Sequence, residues 1–296
     1  MVNNQPVRGP HTPIVAALRE IVVVVPAHNE RDRLPGCLAS VAAAADQVDV
    51  PVTVVVVLDT CTDRSEDVIA ASVRTLRVSV RNVGAARAAG FIAVAPDADA
   101  QIWLATTDAD CVVPPRWLAD QVAHHSSALQ GAVGTVAVQW QEHSAATRRR
   151  YDRLYRLGED QRGEATHGHV HGANLGVRAD AYWRVGGFRP LHLGEDVDMV
   201  DRLVAAGTPL IWDGDNPVLT SDRRDYRAPG GFGDHLRSLA SHSEDAVTRR
   251  APHDPSTPSW DTTVHAKSGR QRQWQRLAPK SWRRSALPTR RELPRR

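Results

Sequence analysis

The chain has 296 residues, of which 42% are hydrophobic and 24% charged, and this mix excludes a fully disordered chain as well as collagen-like, coiled-coil and disulfide-scaffold classes. The net charge of +3 conceals an asymmetry: from Lys267 onward there are eleven Lys or Arg and one acid, Glu292, which leaves 26 basic and 33 acidic residues for the rest. A mildly acidic body with a basic tail does not make the whole chain a nucleic-acid binder, and nucleic acid is not the expected partner.

No apolar run approaches the roughly 18 residues that span a bilayer. Arg19 and Glu20 interrupt the one early apolar stretch that could imitate a signal peptide, so a soluble, cytoplasmic protein is expected. Cys37, Cys61 and Cys111 are widely spaced without a CxxC, which suits a reducing compartment and argues against a zinc site.

Residues 1–20 lack periodicity and read as a loose arm. IVVVV, Ile21 to Val25, is a continuous β-branched run that reads as a buried parallel strand ended by Pro26. An Ala-rich helix is predicted over Leu34 to Ala45, a second buried strand over Val52 to Leu58, a short helix over Ser65 to Ser72 and a third strand over Leu76 to Val80. Another Ala-rich helix follows from Gly84 to Ala95, then a fourth strand from Ile102 to Thr106. This alternation predicts an α/β sandwich with a mostly parallel sheet covered on both faces. Beyond it, strands are predicted over Ala132 to Trp140, Leu175 to Val177, and near Leu210 and Val218. Helices are predicted over Ala145 to Gln161, Ala179 to Val185 and Asp196 to Ala206. The division expected is a domain over 21–245, with halves 21–131 and 132–245, and a disordered basic tail over 246–296.

Ligands of open parallel sheets bind beyond the carboxyl ends of the strands. After the first strand comes PAHNE, in which Asn29 and Glu30 can bond polar groups of a ligand or serve as turn and first-turn residues. After the second, Asp59 can accept from a base N–H, while Thr62 or Asp63 can cap the next helix. After the third, RNVGAARAAG combines a tight turn at Gly84, a helix N-terminus that favours anions, and the cation Arg87, which could equally be a solvated helix charge. After the fourth, Asp108 and Asp110 stand two apart, as a turn or as paired ligands of a hard cation. Further on, GEDVDMVDRL opens a helix with Glu195 and Asp196, which are either a candidate proton acceptor or acids favoured by the helix dipole. Each piece alone is weak, and the order of all of them along one crevice is what points to a nucleotide-binding site.

PAHNE, LDTCTD, NVGAARAAG, DAD, GANLGVR, VGGF and GEDVDMVDRL, in this order over about Ile21 to Leu239, resemble family 2 glycosyltransferases of bacterial type with a GT-A fold. The resemblance implies transfer of a sugar from a UDP-, GDP- or dTDP-sugar to an acceptor hydroxyl, with inversion and with Mg²⁺ or Mn²⁺. Carried over by position, Pro26, Ala27, Asn29 and Glu30 would line the nucleotide pocket and Asp59 would contact the base. Arg87 would lie near the base or phosphates, Asp108 would meet ribose or metal, and Asp110 the metal. Gly172 and Asn174 of GANLGVR would border donor sugar and acceptor. Asp196 would be the general base, with Glu195 its rival.

That chemistry suits the residue types. A divalent cation neutralises charge developing on a leaving diphosphate, and two carboxylates suffice when phosphates and water complete its shell. An acceptor hydroxyl needs a base during attack.

The chain departs from the family pattern in three places. One acid, Asp59, stands where a pair is usual, and Thr60-Cys61 replaces Gly-Ser. TSDRRDYR, Thr220 to Arg227, carries no His where many relatives have a further metal ligand, with Asp222 a weak substitute. Its Arg223, Arg224 and Arg227 could instead close over a diphosphate. A retaining transferase and a non-catalytic nucleotide-sugar-binding relative remain alternatives.

His167, His169 and His171 alternate in THGHVHG and would share one face of an extended segment. Flanking glycines favour a flexible loop over a metal site, and acceptor contact by His171 is the better use. Trp260, Trp274 and Trp282 among arginines leave room for peripheral membrane contact by the tail at the inner face of the membrane.

Overall fold

The computed structural model describes residues 17–126, 128–155, 158–159, 165–225 and 230–241. The basic tail, most of the expected N-terminal arm and Arg227 lie outside the described residues.

The strands are β1 (Glu20–Ala27), β2 (Val52–Asp59), β3 (Arg74–Val78), β4 (Ile102–Thr106), β5 (Cys111–Val112), β6 (Gly131–Gln139), β7 (Gly158–Glu159), β8 (Ala165–Thr166), β9 (Leu175–Arg178) and β10 (Leu210–Ser221). The helices are α1 (Leu34–Ala45), α2 (Val83–Val94), α3 (Trp117–Ser126), α4 (Ala145–Leu154), α5 (Ala179–Arg184), α6 (Glu195–Ala205) and α7 (Phe232–Ser241). Eight strands form one sheet in the order β3-β2-β1-β4-β9-β6-β10-β5, and β7 pairs with β8. The four strands β3-β2-β1-β4 are parallel to one another, in keeping with the mostly parallel sheet expected, while β5 pairs antiparallel with β10. Strand β9 runs antiparallel to both β4 and β6 and joins these four strands to the parallel β6–β10 pair.

The β-branched run of β1 divides by the two-residue pleat. Ile21, Val23 and Val25 pack with α1 and α3 on one face, and Val22 and Val24 pack with α2, α5 and α6 on the other. Alanines let α2 approach closely. A Cβ added at Gly90 would lie 2.7 Å from Val24 and 2.9 Å from Val57.

Several predicted boundaries move, among them that of the helix expected over Ala145 to Gln161, which ends at Leu154. Pro26 does not end β1, which continues through Ala27. The Val24 carbonyl points toward the β4 side, where it accepts from Thr107, so the nitrogen of Pro26, two residues on, faces the same side beyond the last β1–β4 pair. Strand β3 runs over Arg74–Val78 rather than 76–80, because the N–H groups of Val80 and Arg81 turn to the Asp59 carboxylate. The helix expected over 65–72 is a single 3₁₀ turn, Ser65–Val68. The two short strands expected near Leu210 and Val218 are one strand, with a bulge between Asp213 and Val218. Among the described residues, no helix is long and apolar enough to cross a membrane.

Candidate active site

The carboxyl ends of β1, β2 and β4 open on one edge of the sheet, and α6 presents its first turn to the same edge. Together they enclose a cleft of about 760 Å³. Six carboxylates line it, Glu30, Asp59, Asp108, Asp110, Glu195 and Asp196, against three guanidinium side chains, Arg81, Arg87 and Arg223. Residues 137 positions apart, Asp59 and Asp196, thus share one cavity, as the strand-end argument required.

Asp59 is held at the tip of β2. Its Oδ1 accepts the N–H groups of Val80 and Arg81 at 2.9 Å and the Thr60 hydroxyl, and its Oδ2 accepts the Asn82 N–H. The carboxylate therefore shapes the loop that leads into α2. Asn82 then caps α2 by accepting the Ala85 N–H at 2.8 Å.

Asp108 and Asp110 follow β4. Their carboxylates and the Cys111 thiol lie within 4.8 Å of one another, the one such cluster among the described residues. Cys111 is buried, and burial together with Asp110 and Asp108 pushes its thiol well above the ordinary range, so the oxygen donors of the group suited to a hard cation are the two carboxylates. Ser221 donates to Asp110 Oδ2 at 2.9 Å, and Arg223 lies 3.3 Å from the same atom. Withdrawal from solvent raises the Asp108 carboxyl, Arg87 pulls it back and Asp110 adds to the rise.

Arg87 does not stand open to the cleft as a phosphate-binding cation. Its guanidinium is buried and donates to Asp108 Oδ1 at 2.5 Å and to Glu195 Oε1. Burial raises the Glu195 carboxyl against the pull of Arg87, and Asp196 nearby adds to the rise. Arg87 itself stays cationic, since Asp108 and Glu195 outweigh its own burial. Burial thus sets the direction at Glu195, and the surrounding acids set it at Arg87.

Asp196 is the more accessible of the pair. Its Oδ2 accepts the Gly172 N–H at 2.8 Å and its Oδ1 the Val197 N–H at 2.9 Å. His171, next to Gly172, lines the cleft, and its Nε2 lies 3.0 Å from the Tyr155 hydroxyl. That hydroxyl also accepts the Val136 N–H. Burial lowers the His171 imidazole to about 4. Tyr155 stacks on His169, and the His171 ring meets the edge of Phe232. Phe232 and the exposed Leu193 give this side of the cleft an apolar rim.

The remaining predicted residues divide. Pro26, Ala27, Glu30, Gly172 and Arg223 line the cleft. Glu30 and Arg223 form a buried two-pronged ion pair, both bonds 2.7 Å. Asn29 instead lines a smaller adjoining cavity, and its Oδ1 accepts the Thr62 N–H at 2.7 Å, which ties the β1 and β2 loops together. Asn174 does not face the cleft. It is buried and donates to the carbonyls of Thr135 and Asn216 while accepting from Trp117, so it fastens the irregular middle of β10 to β6. Arg224 is exposed outside the cleft lining, and its N–H donates to Glu142. Asp222 is no substitute metal ligand: its Oδ2 accepts the N–H groups of Gln141, Glu142 and His143 ahead of α4. The three alternating histidines stand in a stacked file, with 6.2 Å between successive ring centroids, and His167 bonds the Val133 carbonyl. His28, Ser221 and Phe232 were not singled out from the sequence, although His28 sits inside PAHNE and Ser221 inside TSDRRDYR.

The sequence profile described as Glycosyl transferase family 2 matches residues 22–186, more than half of the chain. The chain belongs to glycosyltransferase family 2. A comparison with curated protein sequences gives no match. Among solved structures, the glycosyltransferase is similar to S. aureus TarS 1-349 in complex with UDP-GlcNAc, at 13% identity and a TM-score of 0.52, over 76% of this chain and 67% of that one. It is also similar to the mannosyltransferase PcManGT from Pyrobaculum calidifontis in complex with GDP-Man and Mn²⁺, at 17% identity and a TM-score of 0.52, over 80% and 66%. The family 2 glycosyltransferase thus spans about two thirds of the length of each, and the likeness is one of fold, the expected GT-A-type sandwich.

Proposed function

We propose that this glycosyltransferase moves a sugar from a nucleoside diphosphate sugar to an acceptor hydroxyl in a single, inverting displacement that depends on a divalent cation. The observation that carries the reading is the shared cleft, in which six carboxylates face three guanidinium groups. A diphosphate would be repelled by that surplus of negative charge unless a cation entered with it. Asp108 and Asp110 supply hard oxygens at the end of β4 for Mg²⁺ or Mn²⁺. When bound, such an ion supplies charge neutralisation for the departing diphosphate. The similar structures carrying UDP-GlcNAc and GDP-Man with Mn²⁺ support the donor class.

Asp196 takes the proton. Two backbone N–H groups fix its orientation and leave lone pairs for the acceptor hydroxyl. As the O–H bond breaks, the acceptor oxygen attacks the anomeric carbon and the sugar–phosphate bond opens on the opposite side. The proton ends on Asp196 and the electron pair on the diphosphate. Glu195 is committed to Arg87 and is not the base. The acceptor enters past Leu193, Phe232 and His171. In this reading 21–131 carries the donor and 132–245 the acceptor, and the basic tail gives contact with anionic lipid at the cytoplasmic face.

A thermal-shift screen of nucleoside diphosphates and their sugars, with and without Mn²⁺, followed by determination of product anomeric configuration, tests the proposal. A selective, cation-dependent shift and an inverted product are expected. Binding without any turnover, or a retained configuration, would overturn it.

A further inference from the structure

We infer that Arg87 is a positioning residue, which fixes the base-bearing end of α6 against the Asp108–Asp110 loop without touching either substrate. This rests on the functional reading above for the meaning of Asp110 and Asp196. The argument is geometric. Arg87 is 2% exposed, so neither donor nor acceptor reaches its guanidinium. One nitrogen holds Asp108, two residues before Asp110. The other holds Glu195, the residue before Asp196. The Gly172 backbone lies directly on the group, close enough that a Cβ there would come within 2.6 Å of its carbon and both terminal nitrogens. The Gly172 N–H in turn orients Asp196. On α2 the arginine also lies 5.6 Å from the Phe188 ring centroid, a cation–π distance. Every group that Arg87 bonds or packs against through Asp108, Glu195 and Gly172 therefore adjoins a reacting position: the cation-binding acid, the base, or the peptide that aims the base. Residues 108 positions apart in the chain are joined through one side chain.

The test compares Glu195→Gln with the double variant Arg87→Met/Glu195→Gln, so that removing the cation does not strand the buried Glu195 carboxylate, while Asp108, the other partner, keeps 37% of its side chain in solvent. Amide exchange is followed over residues 107–111 and 194–199 in the free protein, alongside thermal melting and steady-state kinetics with the donor found in the screen. Exchange in both segments of the double variant is expected to be about tenfold faster, with global melting little changed. Turnover is expected to fall about 10²-fold while donor KM stays within about threefold, the mark of misplaced rather than missing groups. Arg87→Lys in the wild-type background is expected to be intermediate. Unchanged exchange in both segments would overturn the inference, as would a raised donor KM with turnover retained, which would make Arg87 a direct donor contact. If no nucleotide sugar is turned over, the functional reading fails, and the exchange measurement still decides the role of Arg87.

Discussion

The Asp196 Oδ2 accepts the backbone N–H of Gly172 at 2.8 Å, so the proposed base is aimed by a peptide 24 residues earlier in the chain. Replacing Asp196 by Asn removes the proton acceptor and keeps the size. Turnover is expected to fall by about 10²–10⁴-fold, the usual contribution of general base catalysis, with donor KM little changed. Initial rates over a donor series check this. The neighbouring Glu195→Gln behaves differently, because that carboxylate is buried against Arg87 rather than presented to the cleft. Its loss is expected to appear mainly as a lower melting temperature.

Gly172 is also a place in the cleft wall where a single methyl group does damage. Its backbone packs on the Arg87 guanidinium, and that group is pinned at both ends and has no free path away. Gly172→Ala is expected to destabilise the fold by about 1–3 kcal/mol, the range for overpacking a filled interior. Turnover is expected to drop further than the stability loss explains. Urea unfolding and kinetics on one preparation separate the two effects.

The strands and the first-turn acids were legible because they depend on local pattern. Ile21–Val25 is a fully buried β-branched run, Val52–Leu58 and Ile102–Thr106 are further apolar runs, and the strand-end rule led from the last two to Asp59 and to Asp108 and Asp110. What failed depends on partners distant in sequence. Asp59 takes the N–H groups of Val80, Arg81 and Asn82, so the third strand stops at Val78 short of the expected Val80, through bonds that no window of residues reveals. Helix α3, with two histidines and a polar middle, is not among the expected elements. Arg87 has the residue type of a phosphate ligand, and only the fold shows Asp108 and Glu195 closing around it. Asn174 has the residue type of a sugar contact, yet its amide is occupied by Thr135, Asn216 and Trp117.

Stability should depend on pH through His171. Burial lowers its imidazole to about 4, with Asp196 pulling it upward and His169, His167 and His235 pushing it further down. In the unfolded chain it takes a proton near its ordinary value of 6.5. Between these values the unfolded state binds more protons, so stability is lost as pH falls from 6.5 toward 4, on the order of 2–3 kcal/mol by about pH 4.5. His171→Gln is expected to flatten the slope of unfolding free energy against pH in this window by up to one proton. Equal slopes for the variant and the parent would mean that His171 is protonated in the folded protein.

Glu30 and Arg223 join the β1 loop to the end of β10 through two 2.7 Å bonds, both side chains buried. Burial works against the Arg223 charge, and Glu30 and Asp110 outweigh it. Arg223→Met would remove both guanidinium bonds from the buried Glu30 carboxylate, which is expected to cost about 3–5 kcal/mol. Glu30→Gln/Arg223→Met should recover most of that loss. If the double variant is no more stable than the single one, the ion pair is not what fastens the two loops, and chemical denaturation of the three proteins decides the matter.

The Asp110 carboxylate contributes to an excess of negative charge in the cleft; Ser221 bonds its Oδ2 and Arg223 lies 3.3 Å from the same atom. Asp110→Asn removes one of those charges and keeps an acceptor oxygen for Ser221. The free protein is therefore expected to melt at the same temperature or higher, while the Mn²⁺-dependent part of the shift with nucleoside diphosphates disappears. Loss of folding and loss of cation response thus move in opposite directions, so a lower melting temperature cannot be mistaken for a ligand effect. A variant that keeps the full Mn²⁺-dependent shift would show that the cation is held elsewhere than at Asp110.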